Sequence, residues 1–179
     1  MRKAVFLDKD GTLVEDVPYN VDPHRIVLAP GALSGCAALS RAGYALVVVT
    51  NQSGIARGLF APEALEAVEV RLRELLSVPL TGFYHCPHEA EDGCVCRKPG
   101  DAMLRRAAHD LDLDLAASWM IGDILNDVEA GKRAGCRAIL IDNGGETEWV
   151  SGRLRTPDAV CRDMDEAAQV VLQDLRIAA

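Results

Sequence analysis

An α/β fold, three layers thick and built on a mostly parallel sheet, is predicted by three features of the 179-residue chain. Short apolar runs and longer helix-patterned segments alternate from one end to the other, the order that winds a parallel sheet with helices on both faces. The apolar runs are continuous rather than alternating, as expected of strands covered on both sides. Several of them stop at Asp, Thr or Gly-Asp, the place where an open parallel sheet binds its ligands. Together these features describe a Rossmann-like sandwich.

Residues 4–7 (Ala-Val-Phe-Leu), set off by Arg2-Lys3, read as the first strand. Residues 13–29 read as a long irregular loop, because Pro18, Asn20, Asp22 and Pro23 break any period. Pro30-Gly31 opens a helix of small and apolar residues, and Gly43 stops it. Residues 44–49 form a second strand, running into Thr50-Asn51-Gln52-Ser53-Gly54. A helix starts near Pro62 with Leu65, Val68, Leu72 and Leu75 as its core stripe. Residues 81–85 make a third strand, and residues 101–111 a helix with Asp101 at its N-cap. The fourth strand, 119–121, ends at Gly122-Asp123; a helix over 127–134 is stopped by Gly135. Strands at 137–141 and 159–161 and a helix over 163–175 complete the order. No repeat, linker or low-complexity tract divides the chain, so one domain over residues 1–179 is expected.

Bulk properties narrow the function. A net charge of −8 argues against a nucleic-acid surface. No apolar run reaches the length of a membrane span, and the chain enters a strand without a signal-peptide pattern, so a cytoplasmic protein is expected. The absence of an obvious exposed apolar stripe makes a monomer the expectation. In a reducing compartment six cysteines are not a disulfide framework. Three of them crowd between Cys86 and Cys96, where Cys86-Pro87-His88 and Cys94-Val95-Cys96 offer the Cys₃His set of a structural zinc site. His85 is the competing imidazole, expected on the other face of its strand, while Cys36, Cys136 and Cys161 read as core thiols.

The chemistry concentrates where strands end. Asp8 and Asp10 directly follow the first strand, two apart, and Gly11 and Thr12 supply a turn and a hydroxyl. If strands one, two and four are neighbours, Asp8, Asp10, Thr50, Asn51, Asp123 and Asp127 converge on one crevice. Acids from two of these strand ends, with the polar end of the second beside them, suit a hard divalent cation such as magnesium. A carboxylate held there can attack phosphorus, with a second acid to move protons and an amine and hydroxyl to hold the non-bridging oxygens. Lys98, just after the cysteine-rich loop, supplies the amine.

The Asp8-Lys9-Asp10-Gly11-Thr12 run, the strand ending in Thr50, Lys98, and Gly122-Asp123 with Asp127 resemble the four motifs of the haloacid-dehalogenase-like phosphohydrolases, in order. That resemblance implies Asp8 as nucleophile, Asp10 as acid and base, and Thr50 and Lys98 as holders of the phosphoryl group. It implies magnesium held by the Asp8 carboxylate, the Asp10 main-chain carbonyl and Asp123, with Asp127 supporting that last loop. Residues 50–58, the zinc loop and Arg97-Lys98-Pro99 look like the heptose-1,7-bisphosphate 7-phosphatase branch, with histidinol-phosphate phosphatases as close relatives. Carried over by position, this implies that Gly11, Thr12, Asp16, Tyr19, Asn51, Gln52, Ser53 and Arg97 contact a small phosphorylated sugar. Arg97 would suit a second phosphate, since its planar fork binds phosphate oxygens in pairs; Arg57 reads as a surface charge. The chain departs from the branch in the short spacing between His88 and Cys94, and at Ile124, where some members place a lysine. The segments between Asp10, Thr50 and Lys98 are too short for a separate cap domain, so specificity is expected from residues 13–29 and the zinc loop. Two rival readings are a histidinol-phosphate phosphatase and a non-catalytic, zinc-stabilised interaction domain; a nucleic-acid end-processing phosphatase is disfavoured by the charge.

Overall fold

The computed structural model describes residues 1–178, with side chains through residue 174. Its strands are β1 (Ala4–Leu7), β2 (Ala45–Asn51), β3 (Leu80–Cys86), β4 (Trp119–Gly122), β5 (Arg137–Ile141) and β6 (Ala159–Cys161). Its helices are α1 (Ala32–Arg41), α2 (Ala64–Leu76), α3 (Ala102–Leu111), α4 (Leu125–Ala134) and α5 (Met164–Ala178). All six strands are parallel, in the order β3-β2-β1-β4-β5-β6. The connection reverses direction between β1 and β4, which opens a crevice beyond their carboxyl ends.

Alternation within each strand divides the core into two layers. Val5, Leu7, Leu46, Val48, Ile121 and Ile139 face α1, α2 and α5, meeting Cys36, Leu72 and Met164. Ala4, Phe6, Val47, Val49, Met120 and Leu140 face α3 and α4, meeting Leu104, Ala107 and Val128. A strand covered on both faces has no use for polar alternation, which is why β1 reads as an unbroken apolar run. Truncating a fully buried anchor such as Phe6 in so packed a layer costs about 3–5 kcal/mol.

Several boundaries move from their expected places. β2 continues through Thr50 and Asn51, which pair in register with His85 and Cys86, so the polar residues lie within the strand rather than after it. α4 begins at Leu125, two residues before Asp127, whose carboxylate turns back to accept the Ile124 N–H at 3.3 Å. In α2 the core position falls to Leu76, and Leu75 is only half-buried. Asp101 stands at the N-cap of α3 without a capping bond; its carboxylate accepts from Arg105 at 2.7 Å instead.

The loop over residues 13–29 is more ordered than its composition predicts. Val14 bridges to Leu28 in antiparallel fashion, and Leu13, Val14 and Ile26 are buried. Among the described residues, that loop with its single turn of 3₁₀ helix and α1 are all that lies between β1 and β2, and α2 is the helix between β2 and β3. Neither connection holds a cap. No helix among the described residues is long and apolar enough to cross a membrane.

Candidate active site

The carboxyl ends of β1, β2 and β4 are brought side by side by the strand order, and their terminal residues wall a cavity of about 230 Å³. Asp8, Asp10, Asp16, Thr50, Asn51, Arg97, Lys98, Asp123, Ile124 and Gly145 line it. The predicted convergence of acids and amine is therefore real.

At its floor lies a buried ion cluster. Lys98, 2 % exposed, reaches the Asp8 carboxylate, Asp127 Oδ1 at 2.6 Å and the Val49 carbonyl at 2.9 Å. Burial alone would lower the Lys98 pKa, but Asp127 and Asp8 outweigh it and hold the ammonium above its usual range. Burial pushes the Asp8 carboxyl well above the usual carboxylate range; Lys98 opposes this, while Asp127, Asp123 and Asp10 reinforce it. One amine thus faces more negative charge than it can balance.

The excess is concentrated at Asp123. Among the described residues its carboxylate has no ion-pair partner, and burial, with Asp127 adding to it, raises its pKa to about 7. Oxygens of Asp8, Asp123 and Asp127 lie within 4.8 Å of one another. A buried, unbalanced set of oxygen donors at a sheet edge fits a hard divalent cation. Two glycines make the room. A Cβ built on Gly11, whose φ is +79°, would come 2.1 Å from Asp123 Oδ2, and one on Gly145 would come 2.2 Å from it.

The second acid is held from both sides. Lys9, buried where an exposed charge would be expected, pairs with Asp10 Oδ1, and Gln52 Nε2 donates to Asp10 Oδ2 at 3.0 Å. The same Gln52 nitrogen donates to Thr50 Oγ1 at 2.9 Å, which leaves the threonine proton free to point into the cavity. The chain stops being extended at Lys9, whose carbonyl accepts the N–H groups of Leu13 and Val14.

Not every residue expected to touch substrate lines the cavity. The Asn51 amide reaches its wall but is committed to the Lys98 backbone, donating to its carbonyl at 3.2 Å and accepting its N–H at 3.0 Å. Gln52 is buried beneath the rim, Asp127 lies wholly under the floor, and Gly11, Thr12 and Ser53 stand outside the lining. Tyr19 is exposed and stacks under Arg57 at 5.5 Å. Arg57 is correspondingly no free surface charge, since its Nε also pairs with Glu89 at 2.9 Å.

The cysteine–histidine cluster forms as predicted. The Cys86 and Cys96 sulfurs lie 3.1–3.6 Å from each other, from the Cys94 sulfur and from His88 Nδ1, and all four ligand atoms fall within 4.8 Å of one another. Four ligands at zinc–sulfur distances make a tetrahedron with edges of about 3.8 Å, so the donor set is nearly closed on a metal already. Although burial opposes it, hydrogen bonds from the Arg97 N–H and from the thiols of Cys96 and Cys86 bring Cys94 down to about 7. Arg97 is tied to this loop twice, through that N–H at 3.4 Å and through Nη1 on the His88 carbonyl at 3.1 Å. His85 stays out of the cluster, and Cys36, Cys136 and Cys161 are buried free thiols.

The loop after β5 was not anticipated as part of the site. Asn143 Nδ2 donates to the Gly11 carbonyl at 2.6 Å, Gly145 packs on Asp123, and Glu146 Oε2 accepts the Leu125 N–H at 2.7 Å. Asp142-Asn143-Gly144-Gly145, a polar and glycine-rich run after a parallel strand, carried the same kind of signal as the runs that were read.

A family model for HAD-hydrolase-like proteins matches residues 95–167. A curated relative named D-glycero-beta-D-manno-heptose-1,7-bisphosphate 7-phosphatase, from Bordetella bronchiseptica, is 36% identical over 177 residues, spanning 96% of this chain and 99% of its own. One of the same name from Mesorhizobium japonicum is 47% identical over 142 residues, 74% of this chain and 65% of its own. The crystal structure of the B. bronchiseptica D,D-heptose 1,7-bisphosphate phosphatase, complexed with magnesium and phosphate, superposes with a TM-score of 0.80 at 34% identity, covering 96% of this chain and 99% of that one. With a buried Asp–Lys–Asp cluster at the carboxyl edge of a β3-β2-β1-β4-β5-β6 sheet and a 36% identical relative matched over 99% of its length, the chain belongs to the HAD-like phosphatases, in the branch of the heptose-1,7-bisphosphate 7-phosphatases.

Proposed function

We propose that this phosphatase removes the 7-phosphate of D-glycero-D-manno-heptose 1,7-bisphosphate by way of a phosphoryl group on Asp8, as a step in nucleotide-heptose synthesis for lipopolysaccharide. The observation that carries the reading is the buried Lys98, shared between Asp8 and Asp127 at the floor of a cavity walled by Asp10, Thr50 and Asp123.

An Asp8 carboxylate oxygen attacks phosphorus, and the bond from phosphorus to the sugar oxygen breaks. Asp10 gives its proton to that departing oxygen. Asp10 then takes a proton from water, which attacks the phosphoryl group and frees Asp8 and inorganic phosphate. The grip of Lys9 and Gln52 fixes the Asp10 carboxyl through both steps. The Thr50 hydroxyl and the Lys98 ammonium hold the non-bridging oxygens. Asp8, Asp123 and the Asp10 carbonyl would hold magnesium, with Asp127 behind them, and the ion would screen charge between carboxylate and phosphate. Asp127 and Val49 aim the Lys98 amine.

Zinc in the Cys86, His88, Cys94 and Cys96 cluster would be structural, since four protein ligands leave no open position. Its work is to place Arg97, at the rim of the cavity, for the second phosphate of the substrate. Gly11, Thr12, Asp16, Tyr19, Asn51, Gln52 and Ser53 complete the substrate surroundings, by contact or by support. We further place the enzyme in the cytoplasm as a monomer made of one catalytic domain. The free thiols of Cys36, Cys136 and Cys161 suit a reducing compartment.

The test compares initial rates of phosphate release from the heptose bisphosphate, histidinol phosphate and a nucleoside 3′-phosphate. The heptose bisphosphate is expected to be preferred; a preference for histidinol phosphate would reassign the substrate. Asp8→Asn is expected to abolish turnover with the circular-dichroism spectrum unchanged.

A further inference from the structure

Beside the active site, one contact ties together two loops that are far apart in the chain. Arg57, after β2, stacks its guanidinium on the Tyr19 ring at 5.5 Å and pairs through Nε with Glu89 Oε1 at 2.9 Å. Tyr19 belongs to the loop after β1, and Glu89 directly follows the cluster residue His88. The contact is reinforced from the backbone, where the Ala56 N–H donates to the Pro87 carbonyl at 3.2 Å and the Gln52 N–H to the Cys86 carbonyl at 2.7 Å.

The Tyr19 end is set at a conformational cost. Val17-Pro18-Tyr19-Asn20 closes with an Asn20 N–H to Val17 carbonyl bond at 3.1 Å, and Tyr19 has φ +57°. Proline before a left-handed residue is the pattern of a type II turn, where glycine or asparagine is normal. A bulky aromatic residue held there is strained, and strain of this kind persists where the surroundings fix it. Here the ring is turned toward Arg57.

We infer that Arg57 is a positioning residue: by stacking on Tyr19 and pairing with Glu89, it sets the spacing between the loop after β1 and the cysteine–histidine loop, and so the fit of the part of the sugar substrate remote from the transferred phosphate. The inference rests on the proposed heptose bisphosphatase reading. Arg57 does not line the catalytic cavity, so it acts on how the larger substrate is held and not on the chemistry at Asp8.

The experiment measures KM and kcat of Arg57→Ala, Arg57→Lys and Glu89→Gln on the heptose bisphosphate and on p-nitrophenyl phosphate, which has no sugar to position, with zinc content recorded for each. Losing one half-exposed ion pair and one cation–π contact is expected to raise KM for the heptose bisphosphate about five- to tenfold. Turnover of p-nitrophenyl phosphate should stay within about twofold and zinc should be retained. Arg57→Lys, which keeps the charge but not the planar group that stacks on Tyr19, should recover only part of the loss. An unchanged KM, an equal loss on both substrates, or loss of zinc would overturn the inference. If Arg57→Ala fails to fold, Glu89→Gln carries the same comparison with a smaller rise. Failure of the underlying reading is separately visible, because the wild type itself would then leave the heptose bisphosphate unhydrolysed.

Discussion

Replacing Lys98 by methionine should be among the most damaging single changes in the molecule, and its effect should depend on pH in a definite direction. The side chain is 2 % exposed and its ammonium is shared by Asp8, by Asp127 at 2.6 Å and by the Val49 carbonyl at 2.9 Å. Methionine keeps the volume and removes the charge, leaving buried carboxylates without their cation. Removing one partner of a buried ion pair costs about 3–5 kcal/mol, a large share of the stability of an ordinary domain. For a chain of this size each kcal/mol moves the midpoint by about 2–4 °C, so Tm should fall by about 6–20 °C near neutral pH. Asp8 already sits above the usual carboxylate range because of burial, and without Lys98 it rises further. A carboxyl whose folded-state pKa exceeds its unfolded value is held best when protonated: its contribution is present in acid and is lost as pH rises through the folded value. The deficit of Lys98→Met should therefore be small at pH 5 and large at pH 8. Thermal unfolding of the metal-free protein, followed by circular dichroism at both pH values, reads this directly. A deficit of less than about 2 °C at pH 8, or one equal at the two pH values, would refute the buried-cluster reasoning.

Three further outcomes follow from the same geometry. Gly145→Ala places a methyl group 2.2 Å from Asp123 Oδ2 and must displace the carboxylate, so the magnesium concentration for half-maximal activity should rise about 10–100-fold; an unchanged requirement would remove Asp123 from the metal site. Burial and Asp127 raise Asp123 to about 7, so the metal-free protein should lose stability as pH climbs from the ordinary carboxylate range up to that value and level off above it, and added magnesium should raise Tm more at pH 8 than at pH 5. Protein purified without chelators should carry one zinc per chain, and Cys96→Ser should lose it and lower Tm; metal analysis without zinc would contradict this.

What the sequence made legible was what local patterns dictate. A continuous apolar run has few alternatives to a doubly covered strand, and an acid at its end has few uses except a ligand, so β1 with Asp8 and Asp10 could be read at once. Cys86, His88, Cys94 and Cys96 were legible because three thiols and an imidazole at such short spacing suit a metal better than a disulfide framework. Three-dimensional partnerships were harder to see. Lys9 reads as an ordinary turn charge, and only the reversal of the chain beneath it buries the side chain against Asp10. Arg57 looks like surface because its partners, Tyr19 and Glu89, come from loops on either side of it in the chain. The Asn143 to Glu146 segment lies at the same sheet edge as Asp8, Asp10 and Asp123, but that becomes clear only once β5 is known to neighbour β4. Asn51 shows the opposite case, since a polar residue beside Thr50 at the cavity wall is spent on holding the Lys98 backbone.

The role of Asp8 can be tested most directly by stopping the reaction with acid during turnover of the heptose bisphosphate and mapping the protein by mass spectrometry. A phosphoryl group on the peptide containing Asp8, absent in Asp8→Asn and absent once substrate is exhausted, is the predicted result. Turnover without any phosphorylated protein, or with the phosphoryl group on another residue, would contradict the account.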